Sequence, residues 1–295
     1  MKHKIFMGIF AAITAACLWG LSGTVGQFIF EEKNIDVQWL ITCRLLVAGV
    51  LLISYAKFKQ KLHISQIWKN KRDVKQLIIF SIAGMLSVQY TYFAAIKNSN
   101  AATATVLQFI GPVIIAVYLA IKNKTLPNKK VLIAIILAAS GTYLLVTHGR
   151  FNNLSITPLA LTFGVASALA LAIYTLQPLA LLKKYQAALV IGWAMTLAGV
   201  ILSFFKAPWD VQITLDIEIL ISLFIIFIPG TLVAFSLYLH SVKITGGQKA
   251  SLLASAEPLS ATLLSVLWLN TPFSSYDWIG TIFIIATVFL IGRNK

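Results

Sequence analysis

The chain alternates between long apolar blocks and short polar segments. Ten blocks stand out, near residues 5–29, 37–56, 76–96, 101–121, 131–147, 157–180, 187–205, 217–239, 250–269 and 275–292. Each is close to the roughly 20 residues a helix needs to cross a hydrocarbon core. The fourth and fifth are separated only by "KNKTLPNKK". No block shows the period-2 alternation of a barrel strand, and each is apolar around its whole circumference. That pattern predicts an all-α integral membrane protein of ten transmembrane helices.

A repeat organises the blocks. "YFAAIKNSNAATATVLQFIGPVIIAVYLAI" (92–121) aligns without a gap on "YLHSVKITGGQKASLLASAEPLSATLLSVL" (238–267), at an offset of 146. The match equates Tyr92 with Tyr238, Lys97 with Lys243, Leu107 with Leu253 and Pro112 with Pro258. Five spans per half is an odd number, so the halves run in opposite directions through the membrane. The expected division is 1–150 and 151–295. Inverted repeats of this kind place a substrate site at their interface, near the midplane.

Composition agrees with that reading, and charge orients it. The chain is 59% hydrophobic and 11% charged, where soluble domains carry about 25% charged residues. With the N-terminus in the cytoplasm, 19 of the 24 Lys and Arg residues fall in cytoplasmic segments. This positive-inside bias sets both termini in the cytoplasm. It also accounts for the net charge of +15 through topology and anionic lipid, not nucleic acid. "MKHKIFMGIFAAITAAC" resembles a processing signal, but its apolar run continues past Cys17, so it reads as a retained first helix. Cys17 and Cys43 lie inside spans without metal-ligand spacing and read as packing residues.

Candidate chemistry is sparse. Glu257 is an acid inside the ninth block, directly before Pro258. Charged residues at such depth face a cavity or a partner, so Glu257 is a candidate proton carrier or ligand for a substrate amine. Its repeat equivalent is Gly111, so the scaffold does not itself require the acid. Arg44 lies in the second block and offers a planar fork of donors for a carboxylate, or for Glu257 itself. Pro112, Pro258 and the pair Pro229–Gly230 are hinge candidates, because broken spans in matching places point toward a binding site. Gln108, Trp19, Gln89, Tyr174 and Gln177 are further candidates for the substrate or proton pathway. Tyr92, Tyr238 and His240 sit near span ends and read as interfacial anchors. The four histidines are scattered, and no HExxH, paired acids or phosphate-cradling loop is present, which argues against an enzyme, a metal site or a cofactor.

"AACLWGL" (15–21), Arg44, "NAATATVLQFIGPV" (100–113), "AIYTLQP" (172–178) and "ASLLASAEPLSA" (250–261) occur in order along the chain. Together they resemble the EamA family of the drug/metabolite transporter superfamily. The resemblance implies a ten-helix exporter of small metabolites or drugs, often amino acids, in a bacterial cytoplasmic membrane. Two departures stand out. The loops after the fourth and ninth spans read "KNKT" and "LNTP" where the family often carries an acid, and Leu171 sits near the position of a common tryptophan. The expected function is secondary transport by alternating access, with protons as candidate co-substrate. An uncoupled facilitator or channel is the alternative, and a membrane enzyme acting on lipid is a weaker one. The expected partners are a small-molecule substrate and membrane lipid, and the sequence leaves a homo-oligomer open.

Overall fold

The computed structural model describes residues 2–124, 129–150, 156–210, 216–245, 250 and 253–292. All regular structure among them is helical. In chain order the main helices are α1 (Lys2–Glu31), α2 (Val37–Phe58), α3 (Lys71–Asn98), α4 (Ala101–Lys122) and α5 (Lys129–Thr147). They continue with α6 (Pro158–Lys184), α7 (Ala187–Ser203), α8 (Ile217–Val242), α9 (Ala256–Leu267) and α10 (Ser275–Gly292). Six of these, α1 to α4, α6 and α8, are long and apolar enough to cross a membrane, and the other four carry shorter apolar stretches.

Helix starts follow from local chemistry. Asp36, Asn70, Asn100, Thr157 and Asp216 each stand just before a helix, in extended backbone. Each side chain accepts a hydrogen bond from a first-turn N–H, as in Asp36 to Trp39 N at 2.8 Å and Asn100 to Thr103 N at 2.8 Å. Such caps satisfy donors that the helix itself leaves open. They also explain why α3 begins at Lys71, ahead of the apolar block. Its first turn is polar, and Asn70 caps it.

Packing follows a rule. α1 lies along α8 and α9, while α6 lies along α3 and α4; α2 pairs with α7, α5 with α10, and α4 with α9. Exchanging every helix for the one five places away leaves this list unchanged. Glycines permit the closest crossings. A Cβ on Gly141 of α5 would stand 2.7 Å from Gly280 O of α10, and a Cβ on Gly280 would stand 2.7 Å from Gly141 O. Small residues let membrane helices approach to backbone contact. The main core gathers Ile29, Leu40, Ile41, Phe93, Val190 and Met195 between α1, α2, α3 and α7.

Five of the described helices are irregular: α6 is interrupted at Gln177 and Pro178, and the other four form two matched pairs. α4 breaks at Phe109 and Ile110 before Pro112, and α9 is preceded by a break at Ala254 and Ser255 before Pro258. α3 has a π-helical stretch over Phe80–Leu86, and α8 has one over Ile228–Val233 that includes Pro229 and Gly230. Gly84 and Gly230 stand in these two stretches at the same offset of 146 found in the sequence. At Gly230, α8 meets α1, where an added Cβ would lie 2.5 Å from Ser22 Cβ.

Polar side chains tie the bundle at both ends. At one end, Lys33 pairs with Asp216 at 2.9 Å and also with Glu218. Trp39 Nε1 donates to Pro208 O at 2.8 Å, and Lys97 Nζ donates to Phe30 O at 2.7 Å. His148 pairs with Asp277, which also accepts from Ser274 Oγ at 2.8 Å. At the opposite end, Asp73 accepts from Lys184 Nζ at 2.8 Å and from Tyr185 OH at 2.9 Å. There Trp193 Nε1 also donates to Ile64 O at 2.9 Å. These are called the Lys33 end and the Asp73 end below.

Candidate functional site

The interior charge sits on α2 and α9. Arg44 is buried at 5% exposure, and its guanidinium is held by α8. Nε donates to Thr231 Oγ1 at 2.9 Å, and Nη2 approaches Gly230 O at 3.5 Å. The ring of Phe93 lies 5.0 Å from Arg44 Cζ, in cation–π range. The π-helical stretch of α8 makes this possible. Pro229 has no N–H to donate, and the widened turn presents Gly230 O and Thr231 to α2.

Glu257 differs from Arg44. It stands in the first turn of α9, where an acid is favourable to the helix dipole. Its charge is felt by Arg44 of α2, Tyr92 of α3 and Tyr238 of α8, so it faces the interior of the bundle, away from lipid. Nevertheless the residue keeps partial exposure. Among the described residues no ion pair or hydrogen bond holds its carboxylate. Arg44 and Glu257 are in electrostatic range but do not touch, so the direct pair that the sequence allows is not formed.

Aromatic rings line the same region. Trp19 of α1 packs on Phe235 and Tyr238 of α8, with centroids 5.3 and 5.2 Å apart. Tyr174 of α6 lies near Tyr238 and packs on Phe80 of α3, with centroids 5.5 Å apart. Tyr92 is 9% exposed, and its hydroxyl shares a hydrogen bond of 2.8 Å with Thr105 Oγ1 of α4. The anchoring role expected for Tyr92 and Tyr238 is therefore corrected. Tyr92 is buried against α1 and α4, and Tyr238 packs on Trp19 of α1.

The structure thus brings together Glu257, Arg44, Trp19 and Tyr174, joined by Tyr92 and Tyr238. Gln108 is buried beside the break in α4, and Gln89 is half-buried on α3. Gln177 lies apart, at the Asp73 end, where Nε2 donates to Gln76 O at 2.9 Å. Sequence reasoning passed over Gln27. It is 3% exposed and makes five hydrogen bonds among the described residues, at the Lys33 end. A polar amide inside an apolar block was the available signal. Among the described residues, no group of three or more His, Cys, Asp or Glu side chains could hold a metal ion.

Comparison with known proteins places this arrangement. The model of the EamA-like transporter family matches twice, over residues 6–147 and 158–293. The chain is 43% identical to the uncharacterized inner membrane transporter YicL of Salmonella typhimurium, over 98% of this chain and 96% of the relative. It is 26% identical to the uncharacterized transporter YwfM of Bacillus subtilis, over 95% of this chain and 91% of that one. A solved crystal structure shares the fold with a TM-score of 0.64 and 15% identity, covering 98% of this chain and 96% of the other. A family model that matches both halves and a relative this similar over nearly the full length establish the affiliation: the chain belongs to the EamA-like transporter family.

Proposed function

We propose that the protein is a secondary transporter of a bacterial cytoplasmic membrane, exporting small organic metabolites such as amino acids, amines or drugs. It crosses the membrane ten times, as two inverted halves, 1–150 and 151–295, with both termini in the cytoplasm. The Asp73 end is then cytoplasmic and the Lys33 end faces outward. The exchange-invariant packing of the helices and the two family matches support this division. The lysine-rich segment that precedes α3 supports the orientation.

One observation carries the functional reading. Glu257 is a partly exposed carboxylate with no ion pair or hydrogen bond among the described residues, and it lies within electrostatic range of Arg44 of the first half and Tyr238 of the second. An unpaired charge in a low-dielectric bundle is costly, so its upkeep calls for a use. A proton or a substrate ammonium can neutralise it. Occupation by one releases the other, which couples their movements. Trp19 and Tyr238 would hold the apolar body of the substrate, and Arg44 would set the field on the far side of the cavity. Pro112, Pro258, Pro229 and Gly230 place irregular backbone around this region, where the helices can bend.

The test is transport by purified protein in liposomes. A thermal-shift screen of amino acids, amines and drugs first supplies a substrate, since a ligand of the folded state raises apparent stability. Glu257→Gln is expected to abolish accumulation driven by a pH gradient while leaving the protein folded. Accumulation that persists in this variant would remove the carrier role. Downhill flux that never responds to a pH gradient, even in the parent, would favour an uncoupled facilitator.

A further inference from the structure

Gln27 and Gln177 occupy matching places in the two halves. Each stands nine residues before the N-cap residue of the following helix, Asp36 for α2 and Gln186 for α7. Each lies near the far end of the first helix of its half, so the two glutamines sit at opposite ends of the bundle. Their surroundings differ sharply.

At the Lys33 end, Gln27 uses its whole amide. Nε2 donates to Thr271 Oγ1 at 3.1 Å and to the Glu31 carboxylate at 3.1 and 3.3 Å. Oε1 accepts from Ala101 N at 2.9 Å and from Ser265 Oγ at 3.3 Å. Ala101 opens α4, Ser265 belongs to the last turn of α9, and Thr271 follows that helix. One side chain therefore ties α1, α4 and α9 together, and α4 and α9 come from different halves. Both also carry a break before a proline, Pro112 and Pro258.

At the Asp73 end the counterpart is half used. Gln177 Nε2 donates to Gln76 O of α3, but Gln177 Oε1 is sealed from solvent with no partner among the described residues. Gln76 Oε1, on the adjoining helix, is likewise sealed and without a partner among the described residues. Buried polar atoms are rarely left so, because each forfeits its hydration. Two orphaned acceptors at one spot, opposite a saturated equivalent, mark an interface whose partners lie elsewhere in this state.

We propose that Gln27 and Gln177 are the two latches of alternating access. In this structure Gln27 fastens the Lys33 end. In the opposite state Gln177 gains donors for its free carbonyl and fastens the Asp73 end, while the bonds of Gln27 open. The inference rests on the transport reading above, and its test separates the two.

The reporter is Tyr238→Cys in a Cys17→Ser, Cys43→Ser background, which removes both native thiols. A membrane-impermeant thiol reagent is applied to sealed vesicles of each orientation, and labelling rates are read from either face. The parent should label faster from the Asp73 face. Gln27→Leu should raise labelling from the Lys33 face roughly tenfold, the shift that losing one to two net hydrogen bonds gives. Adding Gln177→Leu should bring that rate back down, because it weakens the opposite state. If Gln27→Leu does not fold, Ser265→Ala removes one arm of the knot and should raise the same rate at least twofold, roughly the effect of part of one bond. A rate from the Lys33 face that ignores Gln27 and Ser265, or that rises on adding Gln177→Leu, overturns the latch alone. A reporter that labels from neither face in any variant overturns the central cavity, and the transport reading with it.

Discussion

Replacing Thr231 with valine tests whether α8, and not Glu257, holds the guanidinium of Arg44. The swap nearly preserves side-chain shape and removes the hydroxyl. That hydroxyl accepts from Arg44 Nε at 2.9 Å and donates to Ile226 O at 2.8 Å. Losing the bond to Ile226 costs about 1 kcal/mol, and stranding a buried, charged N–H costs about 2 kcal/mol more. Gly230 O, 3.5 Å from Nη2, is too distant to compensate. Thr231→Val should therefore destabilise the protein by about 3 kcal/mol. In an Arg44→Met background no charged donor is left stranded, and the same swap should cost only about 1 kcal/mol. The expected coupling between the two positions is thus about 2 kcal/mol. Reversible unfolding of the single and double variants in mixed micelles measures it. A coupling under about 0.5 kcal/mol would refute the assignment. A second cycle, Arg44→Met with Glu257→Gln, reports the alternative. No ion pair joins these residues, so its coupling should stay below about 1 kcal/mol, where breaking a buried pair costs about 3–5 kcal/mol.

Two further outcomes follow from the ends of the bundle. Asp73 is 2% exposed under a thin cover of protein and accepts from Lys184 and Tyr185, but the Lys184 side chain is 53% exposed and adds little. Asp73→Ala should thus cost about 2 kcal/mol, mostly through the Tyr185 hydroxyl; a loss under about 0.5 kcal/mol in the same unfolding assay would mean that the contact is idle. At the other end, the Ile219 N–H, and then the Lys33 ammonium, hold the carboxyl of Asp216 below its usual range. A depressed carboxylate stabilises the fold above its unfolded pKa, and the benefit disappears as pH falls through the folded value. Asp216→Ala should therefore lower Tm at neutral pH, with a gap that closes once pH drops below about 4. A gap of constant size down to pH 3 would contradict this.

The helices were legible because an apolar block depends on local chemistry; the caps were not read, and the start of α3 after Asn70 was placed too late. An apolar block announces a helix, and Asn70, Asn100 or Asp216 before it was the available signal for where the helix begins. The π-helical stretch in α3 was not legible, since Phe80–Leu86 holds no proline and only Gly84 hints at it. Its partner in α8 carries Pro229, so the repeat could have transferred the hint from one half to the other. Depth along a span was read from residue counts, and that failed for Tyr92. Gly23 of α1 lets the tyrosine hydroxyl come within 2.5 Å of where a Cβ would sit, and Thr105 completes its burial. Gln27 was missed for a related reason. Its partners Ala101, Ser265 and Thr271 are far along the chain, and only the assembled bundle gathers them.

The asymmetry between Glu257 and Gly111 has a physical cause that the repeat alone could not give. In the sequence, Gly111 seemed to show that the position tolerates having no side chain. In the structure the glycine stands at a tight helix crossing. A Cβ there would lie 2.9 Å from Leu171 and 3.2 Å from Ala168 O, because α4 presses on α6 at this point. The equivalent crossing in the other half is α9 on α1, and it is just as close. There the glycine has changed sides. A Cβ on Gly20 of α1 would lie 2.8 Å from Glu257 O and 2.8 Å from Ala261 N. Moving the small residue from the broken helix to its neighbour frees position 257 for a side chain while keeping the contact. One half thus spends its first-turn position on packing, and the other half has that position available for an acid that points into the interior.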